Sequence, residues 1–257
     1  MIAPDAGPSG APLLVATGIT AGYAREPVVE DVTFSVGPGE FVALVGPNGS
    51  GKSTLLRVLL GVARPWRGTV HLFGRVPGEV RDRWRIGYVP QRPFLGSEVP
   101  ATVREIVATG RLRPGAWFRR PSPADLDAVT HAIASVGLKD EADVPVNELS
   151  AGQQQRAFIA RAFASGPALL VLDEPIAGVD ADSQRRFRDS LVHLIAEHGA
   201  GVLLVSHELS AVAADLDRVL VLKRRLLFDG TPADLAERGV SLGIHDKDLP
   251  LWLEALR

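Results

Sequence analysis

The stretch "VALVGPNGSGKSTLLRVLLG", residues 42–61, joins an apolar run to a helical pattern through a loop with glycines at 46, 49 and 51. The run Phe41–Val45 has the length of a buried strand, and the leucines and valine from Ser53 to Leu60 recur at helical spacing. Between them Gly46–Ser53 spells G-x-x-x-x-G-K-S, with Pro47, Asn48, Gly49 and Ser50 filling the loop and Thr54 following Ser53. A glycine turn of this spacing, after a strand and before a helix, is suited to an anion. Glycines let backbone N–H groups converge, and the helix N-terminus adds partial positive charge. Lys52 can then neutralise the β- and γ-phosphates of a nucleotide, and Ser53 can ligate Mg²⁺.

The rest of the chain limits what can surround this loop. Its 257 residues, 46% hydrophobic, are enough for one sizeable core. The net charge of −2 provides no broad basic field, so no nucleic-acid partner is expected. Cysteine is absent, which removes disulfides, thiol catalysis and cysteine metal sites. Runs such as "ALLVLD" and "GVLLVSH" are far shorter than the roughly 20 residues of a membrane-spanning helix. The opening "MIAPDAGPSGAP" reads as a disordered lead-in over residues 1–12, without the pattern of a signal peptide.

Strands are predicted at Leu13–Ala16, Val32–Val36, Phe41–Val45, Thr69–Leu72, Arg85–Val89, Leu169–Leu172, Gly201–Ser206, Arg218–Leu222 and Leu226–Phe228. Several are continuously apolar, as in a parallel sheet covered on both faces. Helices are predicted at Ser53–Leu60, Asp125–Val136, Gln153–Ser165 and Ala181–His198, with a weaker one at Leu209–Ala214. The alternation gives an α/β fold, with antiparallel strands at its start. A segment of about residues 92–160, interrupted by the turn-rich "RLRPGAWFRRPSP", reads as an inserted helical subdomain within a domain spanning 13–237. Residues 238–257 form a tail in which Leu249, Trp252, Leu253 and Leu256 share one helical face.

Further motifs have a plain reading and a sharper one. "LLVLDEP", residues 169–175, is a buried strand ending in two acids; Asp173 can complete a Mg²⁺ shell and Glu174 can orient or deprotonate an attacking water. Alone, the pair is equally a solvated turn. Ser150, Gly152 and Gln153 in "LSAGQQQ" open a helix, where small residues make either an anion site or an ordinary N-cap. Gln91 in "YVPQRP" and His207 in "LLVSHEL" each follow a strand, and in isolation each reads as a surface or structural residue.

In order and wording these pieces resemble the ATP-binding subunits of ABC transporters. The resemblance runs from about Leu13 to Leu235, through Tyr23, Walker A "GPNGSGKST", Gln91, the signature "LSAGQ", Walker B "LLVLDEP", the D-loop "AGVD" and His207. It implies a P-loop NTPase (RecA-like) core, with ATP and Mg²⁺ as cofactors. It also implies that Tyr23 stacks on adenine while the Gly46–Gly51 loop and Lys52 hold the phosphates. Gln91 would join Ser53 and Asp173 around Mg²⁺, Glu174 would be the catalytic carboxylate, and His207 would contact the γ-phosphate. A second copy would bring Ser150, Gly152 and Gln153 to that phosphate, and Asp180 would link the two sites. The signature departs from the family's LSGGQ at Ala151; at φ < 0 an alanine at a helix start is harmless.

The wording of "YVPQR", "DEPIAGVD" and "VLKRRLLFDGTPADL", and the insertion itself, is similar to the subunits of zinc and manganese importers, although Ile176 stands where that group usually has Phe. The resemblance implies an ATPase at the cytoplasmic face of a membrane, paired with an integral permease and, for an importer, a solute-binding protein. Other cargoes, export, or a soluble ATP-driven switch share the same catalytic motifs. His71, His131, His193, His198, His207 and His245 show no clustered ligand spacing; His193 and His198, on one predicted helix, are five apart and off a shared face. A transported ion is therefore expected to bind on another chain.

Overall fold

The computed structural model describes residues 10–91, 101–113, 120–175, 181–206, 209 and 212–238. Strands β1 (Leu14–Tyr23) and β2 (Glu26–Val36) form an antiparallel hairpin and lead to β3 (Phe41–Val45), the phosphate-loop strand. Helix α1 (Lys52–Leu59) and β4 (Arg67–Leu72) follow, and β4 pairs with β1, giving a three-stranded antiparallel sheet of order β2-β1-β4. Then come β5 (Ile86–Val89), α2 (Val103–Ala108), α3 (Pro123–Ser135), α4 (Ala151–Ala164), β6 (Leu169–Asp173), α5 (Ala181–His198) and β7 (Gly201–Val205). The described part closes with β8 (Arg218–Lys223), β9 (Arg225–Gly230) and α6 (Pro232–Arg238).

The second sheet has the order β5-β6-β7-β3-β8-β9 and is parallel except for the last pair. Its central strands are buried throughout, and their side chains divide by parity. Phe41, Ala43, Val45, Leu170, Leu172, Val202 and Leu204 pack towards α2–α5, whereas Val42, Leu44, Leu169, Val171, Leu203 and Val205 pack towards α1 and the antiparallel sheet. Strands covered on both faces leave no position for a polar side chain, which is why they read as unbroken apolar runs. Truncating one of these leucines to alanine costs roughly 2–5 kcal/mol.

Register brings the strand ends together. Leu44 pairs with Val205, and Val205 pairs with Asp173, so β3, β7 and β6 finish level with one another. β5 ends beside them, with Val89 paired to Leu172. Each loop leaving these strands thus emerges at one edge of the sheet, the place where ligands bind in open α/β folds.

The structure amends several predicted elements. β1 and β2 are much longer than Leu13–Ala16 and Val32–Val36, because register shifts at Ala16/Ile19, Ile19/Ala21 and Ala21/Gly22 carry the pairing past residues that read as breaks. Helix α2 lies within the predicted helical segment without having bounds of its own there, and α6 is not among the predicted elements; α2 has only six residues and is set by a capping box between Thr102 and Glu105. The described part of the weak helix at Leu209–Ala214 ends in a 3₁₀ turn, Ala213–Asp215, since the chain must bend there to enter β8. Among the described residues from 101 to 150 there is no strand of the central sheet, and α2, α3 and α4 pack on one another.

Candidate functional site

The loop after β3 is fixed by what crowds it. A Cβ on Gly46 would stand 2.1 Å from the Leu222 carbonyl oxygen of β8, so only glycine lets the chain leave the sheet there. Gly51 has φ 103, and a Cβ on it would meet Val29 of β2 at 2.4 Å. The Arg224 N–H donates to the Ser50 carbonyl at 3.1 Å, and the Ser50 N–H donates to the Pro47 carbonyl at 3.1 Å. The loop is thereby wedged between β8 and β2.

Gly51 is the N-cap of α1 and supplies no side chain to the helix's first N–H groups. Those groups lack intrahelical partners by construction and carry the positive end of the helix dipole. Lys52, the first helical residue, is 7% exposed and curls back, its Nζ donating to the Gly46 carbonyl at 2.6 Å and the Pro47 carbonyl at 3.2 Å. Ser53 is exposed, Thr54 is buried, and the buried Ser50 Oγ has no hydrogen-bond partner. Convergent amides, an ammonium group and an unsatisfied buried hydroxyl fit a polyanionic phosphate group.

Asp173 and Glu174 are half-buried at the end of β6, and the Glu174 N–H donates to the Val205 carbonyl at 2.7 Å. Glu174 has φ 48, an unfavourable value for a non-glycine residue that turns the chain sharply after the strand. Burial pushes the Asp173 carboxyl above its usual range, and neighbouring Glu174 adds to this, while Lys52 and Arg57 pull the other way. Burial likewise lowers Lys52, against the attraction of Glu174 and Asp173. The phosphate loop and the paired acids therefore share one electrostatic site.

The Tyr23 ring, 57% exposed at the end of β1, reaches this site through its hydroxyl, which accepts from Arg57 Nη1 at 2.9 Å. A hydrogen bond with Thr54, together with Arg57, holds its ionisation below the usual tyrosine value. Gln91 is exposed, two residues past β5 at the same sheet edge. In sequence His207 comes two residues after the end of β7 and Asp180 comes directly before α5, but both lie outside the described residues.

Ser150 and Gln153 sit elsewhere, at the start of α4. Ser150 Oγ accepts from the Gln153 N–H at 3.3 Å, Gln153 Oε1 accepts from the Ser150 N–H at 3.0 Å, and Gln153 Nε2 donates to Glu141 at 3.0 Å. Gly152 is the second residue of the helix and is half-buried. Ala151 is the first, with φ outside the positive range, as its tolerance requires. Among the described contacts none links these residues to the phosphate loop of the same chain.

The sequence profile of the ABC transporter family matches residues 29–177. The chain belongs to the ABC transporter family. The zinc uptake system ATP-binding protein ZurA of Listeria innocua is 40% identical over 210 residues, 81% of this chain and 82% of that protein. The manganese transport system ATP-binding protein MntB of Bacillus subtilis is 36% identical, covering 82% of this chain and 84% of that one. Among solved structures, the ATP-binding subunit of an ABC transporter superposes with a TM-score of 0.76 at 27% identity, covering 90% of this chain and 95% of the other. This ABC subunit binds ATP and is an ATPase with an α/β P-loop core.

Sequence reading missed two neighbours of the ABC site. Arg57, on α1 three residues after Thr54, touches both Tyr23 and the field at Asp173. Tyr88, on β5, has its ionisation raised by burial and by Asp173. Spacing along α1 could have pointed to Arg57; only strand pairing reveals Tyr88. The histidines differ too from their predicted scatter: His131 and His193 lie with Glu197 in one cluster, assembled by the packing of α3 near α5.

Proposed function

We propose that this chain is the motor subunit of an importer for zinc or manganese, working as a homodimer at the cytoplasmic face of a membrane beneath an integral permease. A solute-binding protein would deliver the ion. The observation that carries the cargo is the identity of 40% and 36%, over more than four-fifths of the chain, to ATP-binding proteins named for zinc and manganese transport. No described helix is long and apolar enough to cross a membrane, and in the proposed assembly the permease would supply the path for the ion.

Within the ATP site, Tyr23 supplies a ring for adenine, the 46–51 loop and Lys52 take the phosphates, and Ser53, Asp173 and Gln91 hold Mg²⁺. Mg²⁺ supplies positive charge against the phosphate oxygens and the crowded acids when bound. Two carboxylates, one of them raised above its usual range, favour a cation there. Glu174 orients and deprotonates water, and His207 contacts the γ-phosphate. Ser150, Gly152 and Gln153 complete the phosphate site of a second copy, with Asp180 linking the halves. Support for the pairing is that the α4 N-terminus bonds to no phosphate-loop residue of its own chain. Residues 13–237 form the ATP-binding domain, with the helical part within about 92–160.

Closing two copies on ATP shifts a two-state equilibrium by the extra affinity of the closed form, and hydrolysis removes that bias. Glu174→Gln should bind ATP normally, hydrolyse it roughly 10²–10⁴-fold more slowly, and elute as an ATP-dependent dimer in size exclusion. A monomer under ATP would contradict the roles given to both Glu174 and the second copy. For cargo, the tagged chain should co-purify a polytopic membrane protein from gently solubilised membranes of its host. Vesicles holding that complex should then take up Zn²⁺ or Mn²⁺ with ATP. Recovery with ribosomes, DNA or scaffold proteins and no permease would overturn the transport reading.

A further inference from the structure

Helix α3 and helix α5 meet at the edge of a cavity of about 340 Å³, lined by His131, Asp127 and Ser135 of α3, His193 and His198 of α5, and Phe163 at the end of α4. The Ser190 hydroxyl of α5 donates to the Ser135 carbonyl of α3, fixing the crossing. At its rim the Nε2 atoms of His131 and His193 stand 3.4 Å apart, and His193 Nε2 lies 3.1 Å from Glu197 Oε2. All three ligand-type atoms fall within 4.8 Å of one another. His193 and Glu197 are one helical turn apart on a shared face, and His131 comes from 62 residues earlier in the chain.

We propose that His131, His193 and Glu197 form a binding site for a divalent transition-metal cation of the zinc class, which clamps α3 to α5. Ligands at ~2.0–2.1 Å from a tetrahedral Zn²⁺ are ~3.4 Å apart, close to the spacing found here. Two imidazole nitrogens and a carboxylate oxygen are the donor set such an ion prefers. Hydrogen bonding alone serves the cluster poorly. His193 Nε2 is central to both contacts but carries at most one proton, which satisfies one neighbour at the expense of the other. A cation accepts all three lone pairs at once. The side chains are partly exposed, 40% for His193 and 51% for Glu197, leaving an entry route and a fourth position for water. The proposal stands on this geometry and is independent of what the transporter carries. α5 begins right after residues 176–180 and α3 precedes the signature helix α4, so the clamp ties the helical segment before the signature to the helix that follows β6.

The decisive experiment is Co²⁺ titration of the full nucleotide-free chain, followed by visible absorption. One equivalent should give the intense spectrum of four-coordinate Co²⁺, which Zn²⁺ then displaces. With no cysteine present, thiolate sites cannot produce it. Oxygen-rich binding at Asp173 and Glu174 would give the weak six-coordinate spectrum. His131→Gln and His193→Gln should each weaken binding by at least ~10–100-fold, while His71→Gln on β4 should leave it unchanged. Zn²⁺ should also raise the melting temperature of the unsubstituted chain and fail to do so in His131→Gln. Should either histidine variant not fold, judged by loss of ATP binding, Glu197→Gln takes its place. A six-coordinate spectrum alone, or equal affinity in the unsubstituted chain and the variants, overturns the site.

Discussion

Helices α1 and α4 both begin at small-residue motifs, yet they treat their first N–H groups in opposite ways. α1 starts from Gly51, which has no side chain and a φ of 103, so its N-terminus is left open towards the phosphate site. α4 starts from Ser150, whose hydroxyl and backbone are both taken up by a capping box with Gln153. An open N-terminus costs stability and leaves donors for a ligand; a capped one serves the helix first. On the proposed pairing, the difference separates a half-site that faces its own chain's nucleotide from one that would act only when presented to a partner's.

Lys52 offers the hardest test of the open end. Its ammonium group is tied to the loop carbonyls in this structure, and in the proposed role it would turn to a nucleotide phosphate. Lys52→Ala should weaken ATP binding roughly 10–100-fold, the loss of a charge-assisted hydrogen bond. Hydrolysis should fall further, by about 10²–10³-fold, since charge on the phosphate oxygens grows during reaction. Titration with a fluorescent ATP analogue checks the first figure and phosphate release the second. Unchanged binding would remove the contrast between the two helices.

Gly51→Ala probes the same end through the backbone. Alanine at this φ costs about 1–3 kcal/mol, and its methyl must displace Val29 as well. A fall in melting temperature of about 2–12 °C is expected from the backbone cost alone, with ATP affinity reduced in parallel. A stable variant that binds ATP normally would show that the loop is softer than its crowded neighbours imply.

Legibility in the sequence follows how local each feature is. The phosphate loop and the acids at 173 and 174 could be read because strand, turn and helix signals lie within about twenty residues of one another, and the parallel sheet could be read because its buried strands are uniformly apolar. The full lengths of β1 and β2 could not, since bulges let pairing continue through Gly18, Gly22 and Pro27. α2 was too short to show a period. Its evidence was the Thr102–Glu105 box, which lies in a stretch dominated by turn residues. The cluster of His131 with His193 and Glu197 depends wholly on how α3 sits against α5, and no spacing along the chain encodes that. An N-cap is the plain reading of Ser150 in the sequence; the reciprocal bond from Gln153 that occupies its backbone N–H emerges only in the structure.

Ser150 therefore gives the sharper test of the capped end. Ser150→Ala removes the cap and should cost about 1 kcal/mol, or roughly 2–4 °C in melting temperature. Ser150→Asp keeps a capping oxygen and should restore that stability. It also places a carboxylate where a partner's γ-phosphate would come, so the ATP-dependent dimer should fail to form while ATP binding by the single chain persists. If Ser150→Asp dimerises as well as the unsubstituted chain, the role of this helix start is confined to its own stability.

The smallest effect is expected one residue further on. Ala151 is exposed at the first helical position, at a backbone geometry any residue adopts, so its methyl neither strains the chain nor fills a packed space. Ala151→Gly restores the usual LSGGQ wording but gains no conformation that alanine lacks. Its cost is the extra backbone entropy of glycine in a helix, at most about 0.5–1 kcal/mol, and ATPase turnover should stay within about twofold. A tenfold rise in turnover would mean that the methyl obstructs closure on the partner's nucleotide, placing the signature helix closer to the phosphate than a capped N-terminus needs to be. An unchanged rate would instead show that what this position requires is the helical backbone at 151, which alanine already provides.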